Sequence, residues 1–247
     1  MTADWPASLE RPLVLGHRGT NLGVPENTLL AFGRALAQGA DGVELDVRLS
    51  ADAQPFVIHD ADLKRVTHKR HSMRVDQLTA RELGTVELAQ GQGVPTLAEA
   101  LIWAQTNDAV LNVELKSEAH GRSALVEAVA RAIERVSLRL LLLSSFDLVV
   151  VQKLRERLPA SQVAWLVDTD DGLEQAPDEA LRLGLGAINP HHLLLTATST
   201  ARLKQCGLSI NTWTVNSRAR AIELASFGVD SIITDNPGEI AEALART

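Results

Sequence analysis

One cysteine in 247 residues leaves Cys206 without an internal partner. A disulfide within the chain is therefore excluded, and no Cys/His zinc pattern exists. A reducing compartment is the expectation. Long apolar runs are also missing. No stretch approaches the ~20 residues that a membrane-crossing helix needs, so stable membrane insertion is not expected. Residues 1–11 carry Asp4 and Glu10 and lack the basic-then-apolar run of a signal peptide, which makes the cytoplasm the expected location. Positive charge is scarce. With 24 Lys and Arg against 31 Asp and Glu the net charge is −7, the wrong sign for a nucleic-acid surface. A local group of cations can still hold one phosphate. Linkers and low-complexity tracts are absent, and residues 1–247 read as a single domain.

Apolar residues make up 45% of the chain, enough for a core that needs no disulfide or structural metal. Short apolar runs alternate with amphipathic ones nearly end to end. Strand-like runs fall at 13–16, 42–47, 110–115, 140–144, 163–167, 187–189, 209–215 and 231–234. Helix-like segments fall at 28–39, 96–106, 121–135, 147–157, 172–183, 197–206, 217–226 and 237–245. Strand–helix alternation calls for a parallel sheet covered by helices. Eight units in a chain of this size fit a (β/α)8 TIM barrel. An open doubly wound sheet is the competing architecture, but no Gly-x-Gly-x-x-Gly follows the first strand-like run.

One segment breaks the alternation. Residues 42–50 and 55–59 both look strand-like, with only Ala51-Asp52-Ala53-Gln54 between them. That link is too short for a parallel crossover and implies an antiparallel hairpin. A turn centred near residue 52 is expected to set Asp46 opposite His59. The small insertion after the second strand, about 47–95, is expected to be polar and irregular beyond residue 60, ending at the helix opened by Thr96. It would lie on the functional face of such a barrel.

Charged residues gather where the strands end. Residues i and i+2 of a strand share a face, so Glu44 joins Asp46 and Glu114 joins Lys116. Strands of a parallel barrel are normally apolar throughout, and charges inside them are costly without partners. Three converging acids repel unless a cation sits among them, and all-oxygen ligation selects Mg2+ or Ca2+. Glu44, Asp46 and Glu114 are thus expected metal ligands, with plain salt bridges as the alternative. Arg18 and Lys116 supply fixed positive charge for a phosphate, or else neutralise the acids. His17 and His59 are the expected proton-transfer pair, because cleaving a phosphodiester needs both a base and an acid. Phe146 and Trp213 read either as a wall for the substrate's carbon skeleton or as core. His68 and His71 lie in a basic, solvated stretch, and His120 precedes a helix. His191 and His192 follow a strand end and read as structural, with a substrate contact as the alternative.

The ordered set of motifs resembles the glycerophosphodiester phosphodiesterase family over almost the whole chain. It runs from His17-Arg18-Gly19 and Pro25-Glu26-Asn27-Thr28 to Gly42-Val43-Glu44-Leu45-Asp46 and Val57-Ile58-His59-Asp60. Asn112-Val113-Glu114-Leu115-Lys116, Ser144-Ser145-Phe146, Trp213-Thr214-Val215-Asn216 and Ile233-Thr234-Asp235 complete it. The resemblance implies hydrolysis of a small-molecule glycerophosphodiester to glycerol 3-phosphate and an alcohol, with Mg2+ or Ca2+ required. It implies His17 and His59 as acid–base catalysts, Glu44, Asp46 and Glu114 as metal ligands, and Arg18 and Lys116 as phosphate contacts. Ala53 departs from the family's Asp-Gly turn. A lysophospholipase D-like enzyme using the same site would need an apolar or basic patch for lipid, and none is evident. A catalytically silent ligand-binding barrel would have lost a histidine or carboxylate, and all are present. These residues do not set the headgroup or the oligomeric state.

Overall fold

The computed structural model describes residues 11–117 and 121–245; His120, expected ahead of a helix, lies outside them. Eight parallel strands close into a ring. In chain order they are β1 (Leu13–His17), β2 (Gly42–Leu49), β4 (Val110–Leu115), β5 (Leu141–Ser145), β6 (Gln162–Val167), β7 (Ala187–Pro190), β8 (Ser209–Thr212) and β9 (Ser231–Thr234). Each pairs with its neighbour, and β1 pairs with both β9 and β2 to shut the barrel. A short antiparallel strand, β3 (Pro55–Val57), hangs from β2.

Helices cover the outside: α1 (Leu29–Ala37), α3 (Leu97–Thr106), α4 (Arg122–Ile133), α5 (Leu148–Arg157), α6 (Asp170–Leu183), α7 (Ala197–Gln205), α8 (Arg218–Phe227) and α9 (Pro237–Leu244). The one-turn α2 (Ala80–Leu83) belongs to the insertion. Several helices start on a side chain that satisfies their first free amides. Thr28, Asp147, Thr169 and Ser217 accept from Ala31, Val149, Gly172 and Arg220, and Thr96 forms a reciprocal capping box with Glu99. Among the described residues no helix is long and apolar enough to cross a membrane.

Period two in the strands sorts the core into two layers. Val14, Val43, Leu45, Val47, Leu111, Val113, Leu141, Leu143, Ile188, Ile210 and Ile232 pack outward with the helices. Leu13, Leu15, Val110, Leu140, Leu142, Ala164, Ala187 and Ile233 form a separate apolar plug inside the ring. The inward positions nearer the strand C-termini switch to buried polar side chains, Glu44, Asp46, Asn112, Glu114 and Ser144. The plug closes the barrel from below, and the charge is left at its mouth.

The hairpin differs from expectation by one residue. Val47 faces Val57 and Leu49 faces Pro55, and the Ile58 amide donates to the Asp46 carbonyl at 2.9 Å, so Asp46 lies opposite Ile58, not His59. The strand stops at Val57, and the chain turns after Ile58, which frees His59 from the pleat. The Arg48 Nε donates to the His59 carbonyl at 2.7 Å and fixes that bend. Ala53 sits at φ 57°, a left-handed conformation that suits the glycine the family's turn carries.

The insertion is irregular in its backbone, as expected, but it is not polar throughout. Phe56, Ile58, Leu63, Val75, Leu78, Leu83, Val86, Leu88 and Val94 bury one another in a core of their own, while His68, Lys69, Arg70 and His71 are exposed as expected. Those apolar positions follow no single period because one short helix and several turns share them. Leu83 is fully buried in this satellite core. Leu83→Ala should therefore cost ~2–5 kcal/mol of unfolding free energy in urea titrations. A loss below about 1 kcal/mol would mean that the insertion carries no core.

Candidate active site

His17 ends β1, and its neighbours are forced into place by a tight reversal. The Gly19 amide donates to the Gly16 carbonyl at 3.0 Å, and a Cβ on Gly16 would lie 1.9 Å from the Gly19 oxygen. Only glycine fits there. Between them Arg18 takes φ 54°, which turns its amide to donate to Glu44 Oε2 at 3.2 Å. Its guanidinium donates to Glu26 Oε1 at 2.9 Å and lies 3.1 Å from Asp46 Oδ2.

Glu44, Asp46 and Glu114 share one inward layer, because Glu44 pairs with Asn112 and Asp46 with Glu114 across β2 and β4. All three are buried, and one carboxylate oxygen from each lies within 4.8 Å of the others. At that spacing each pair of charges repels by about 3–4 kcal/mol with an effective dielectric near 20. The consequences differ by residue. Burial and then Asp46 push Glu44 upward, and burial and Asp46 do the same to Glu114, against the pull of Lys116. For Asp46 burial also pushes upward, but Lys116, Arg18, His59 and the Asn27 amide outweigh it and hold the acid low. Lys116 Nζ lies 3.2 Å from Asp46 Oδ1 and 2.5 Å from Glu114 Oε1, and Asn27 Nδ2 donates to Asp46 Oδ2 at 2.9 Å. An all-oxygen trio of this kind can hold a hard divalent ion.

Each histidine is backed by an aspartate. His17 Nδ1 bonds to Asp235 Oδ1 at 2.8 Å, and His59 Nδ1 bonds to Asp60 Oδ1 at 2.7 Å. An ionised carboxylate only accepts, so Nδ1 carries the proton in both rings and Nε2 is left for exchange. Their environments diverge. Burial pushes His17 down, yet the Asp235 hydrogen bond and the charge of Glu44 overcome it and raise the ring. For His59 burial lowers the value, and with Lys116 and Arg18 it outweighs the pull of Asp46 and Asp60.

His17, Arg18, Glu44, His59, Asn112, Glu114, Lys116, Ser144, Phe146 and Trp213 line one cleft. Phe146 and Trp213 meet edge to face, 5.4 Å between centroids, and Lys116 Nζ stands 5.8 Å from the Phe146 centroid. Phe146 is 38% exposed, which places it on a wall of the cleft, not in the core. His191 packs edge-on against Trp213 at 5.1 Å, and His192 follows it in a short turn. Neither lines the cleft among the described residues.

Asp235, Asn27, Glu26, Asp60 and Arg65 were not singled out by the sequence as chemistry. Asp235 is 218 positions from His17, and no local spacing links them. Glu26, Asn27, Asp60 and Asp235 carry a signal only as members of the motifs Pro25-Glu26-Asn27-Thr28, Val57-Ile58-His59-Asp60 and Ile233-Thr234-Asp235.

A parallel (β/α)8 barrel with buried acids, cations and two histidines at the C-terminal ends of its strands defines a barrel enzyme with its site at the usual mouth. The chain belongs to the glycerophosphoryl diester phosphodiesterase family, whose sequence model matches residues 17–239, and it is a glycerophosphodiester phosphodiesterase by class. It is 30% identical over 233 residues to the glycerophosphodiester phosphodiesterase of Caldanaerobacter subterraneus subsp. tengcongensis, spanning 92% of this chain and 95% of that protein. It is 31% identical to the Bacillus altitudinis glycerophosphodiester phosphodiesterase over 91% of this chain and 94% of the relative. Among solved structures, an Oleispira antarctica phosphodiesterase in complex with the product sn-glycerol-3-phosphate superposes with a TM-score of 0.89 at 25% identity, covering 95% and 97% of the two chains.

Asp60 gives the site a pH signature. Burial pushes it up, but hydrogen bonds from Arg65 and His59 overcome this and bring it from 3.8 to about 2. A depressed acid contributes stability that is complete above its unfolded value and is lost as pH falls through the folded one. Asp60→Asn should therefore lose less stability than wild type between pH 4 and pH 2, read as urea midpoints. Parallel curves for the two proteins would contradict the assignment.

Proposed function

We propose that this cleft hydrolyses glycerophosphodiesters to glycerol 3-phosphate and an alcohol, with a divalent cation, Mg2+ or Ca2+, and a histidine pair. The observation that carries the reading is the charge count of the inward layer. With all three acids ionised, as ligation of a cation requires, Arg18 and Lys116 leave one negative charge. A divalent ion reverses it to one positive charge, which a phosphodiester monoanion cancels. Glu44, Asp46 and Glu114 would hold the ion, whose donor set suits a hard cation. When bound, it supplies Lewis-acid charge at the phosphoryl oxygens.

The remaining work belongs to the chain. Arg18 and Lys116 orient the phosphate and oppose the charge that develops in the transition state. Phe146 and Trp213 take the substrate's carbon skeleton. One histidine accepts a proton at Nε2 from the attacking oxygen, and the other donates one to the departing alkoxide. Asp235 and Asp60 keep the two rings oriented. Their opposite displacements suit a pair that must enter the reaction in different protonation states. The glycerol hydroxyl beside the phosphorylated carbon is the nucleophile: attack within one molecule can lower the barrier by ~7–11 kcal/mol. It would form a cyclic phosphate, which water then opens.

Hydrolysis of a panel of glycerophosphodiesters tests the reading. Chelation should abolish turnover, and Mg2+ or Ca2+ should restore it; full activity of the metal-free protein would overturn the cation requirement. A second assay divides the histidines. With nitrophenol as the leaving group, which needs no proton, the acid-histidine variant should regain activity while the base-histidine variant stays slow. Equal behaviour of His17→Ala and His59→Ala on both substrates would remove the acid–base division.

A further inference from the structure

The barrel mouth carries one more charged side chain, Arg65, to which the chemistry above gives no role. Arg65, on the insertion, reaches toward the barrel. Its Nε donates to Asp60 Oδ2 at 2.7 Å, and Nη2 donates to Asp60 Oδ1 at 3.1 Å. On the other side Nη1 and Nη2 donate to the two Glu26 oxygens, each at 2.7 Å. Both carboxylates continue inward. Asp60 Oδ1 is the partner of His59 Nδ1 at 2.7 Å, and Glu26 Oε1 accepts from Arg18 Nη1 at 2.9 Å. The contacts therefore run from His59 through Asp60, Arg65 and Glu26 to Arg18, and on to Asp46, 3.1 Å from the Arg18 Nε. The insertion meets the same β1–α1 loop a second time, where Gln90 Nε2 donates to the Gly23 carbonyl at 2.5 Å.

The Arg65 side chain is 50% exposed, and an isolated ion pair at such a site contributes little stability. Direction is another matter. His59 stands beyond the end of β3, with no pleat to orient it, and Arg18 lies on a separate loop. A planar guanidinium with N–H groups on two edges can grip two carboxylates at fixed angles; an ammonium cannot. Without it, Glu26 and Asp60 present like charges to each other, and the groups they hold are free to shift.

We propose that Arg65 is a positioning residue that fixes His59 and Arg18 relative to one another through Asp60 and Glu26, which gives the insertion a second role in the active site beyond carrying His59. This rests on the roles given above to His59 and Arg18. Arg65→Met keeps the stem and removes the fork. It should lower kcat by roughly 10–100-fold, the usual effect of losing such a supporting contact, while the protein still folds, read as a single cooperative melting transition. Arg65→Lys, with the charge but not the fork, should recover little of that loss. Combined with Asp60→Asn, Arg65→Met should cost less than it does alone, because the two act along one path. The proposal is overturned if Arg65→Met keeps kcat within about twofold, if Arg65→Lys restores it fully, or if the two losses multiply independently. An active wild type with an unaffected Arg65→Met sinks the positioning role alone; an inactive wild type sinks the functional reading as well.

Discussion

Three buried carboxylates in one layer of a barrel are the constraint on which the mouth of this protein depends. Glu44, Asp46 and Glu114 are nearly removed from water and within 4.8 Å of one another. Left alone they would take up protons, and the upward displacement of Glu44 and Glu114 expresses that pressure. Lys116 bridges two of the acids, and Arg18 reaches the third through its amide and Asp46 through its guanidinium. The left-handed turn at Arg18 exists to deliver both contacts at once. Asn27, at φ 55°, serves Asp46 in the same way from the start of α1. Positive charge held near but not equal to the negative leaves a place for a cation, which is the basis of the function proposed.

The rest of the barrel makes that arrangement tolerable. Apolar plug residues below the acids exclude water from the floor, so the charges interact more strongly than they would at a surface. The outward residues of the same strands anchor the helices, so one period-two pattern builds both stability and site. The histidines sit at strand ends, His17 as the last residue of β1 and His59 just past β3. Each is tied to an aspartate, and the His59 tie leads on to the insertion. The packed core of the insertion, small as it is, gives that tie a firm footing.

Much of this was legible in the sequence. Strand and helix spacing announced the eight-unit barrel, because the pleat and the helical turn leave different periods in apolar residues. Charged pairs at i and i+2 in otherwise apolar strands announced the acids and Lys116. The hairpin was legible from its short link, but its register was misjudged by one: the Ser50 amide donates to the Gln54 carbonyl, so the loop has three residues instead of four. The insertion's core was hidden because its apolar residues come from turns and a one-turn helix, with no common period. Least legible were the partners of the histidines. Asp60 adjoins His59 but also meets Arg65, and Asp235 reaches His17 only because β9 closes the ring beside β1. Closure in space leaves no spacing to read.

The claim at the centre is that the acid trio is built around one divalent ion, and calorimetric titration tests it without any assumption about the substrate. Mg2+ or Ca2+ titrated into chelator-treated protein should bind at one site per chain, and Glu44→Gln or Glu114→Gln should weaken that binding markedly. Absence of binding, or an affinity that neither substitution changes, would contradict the account and leave the three acids as partners of Arg18 and Lys116 alone.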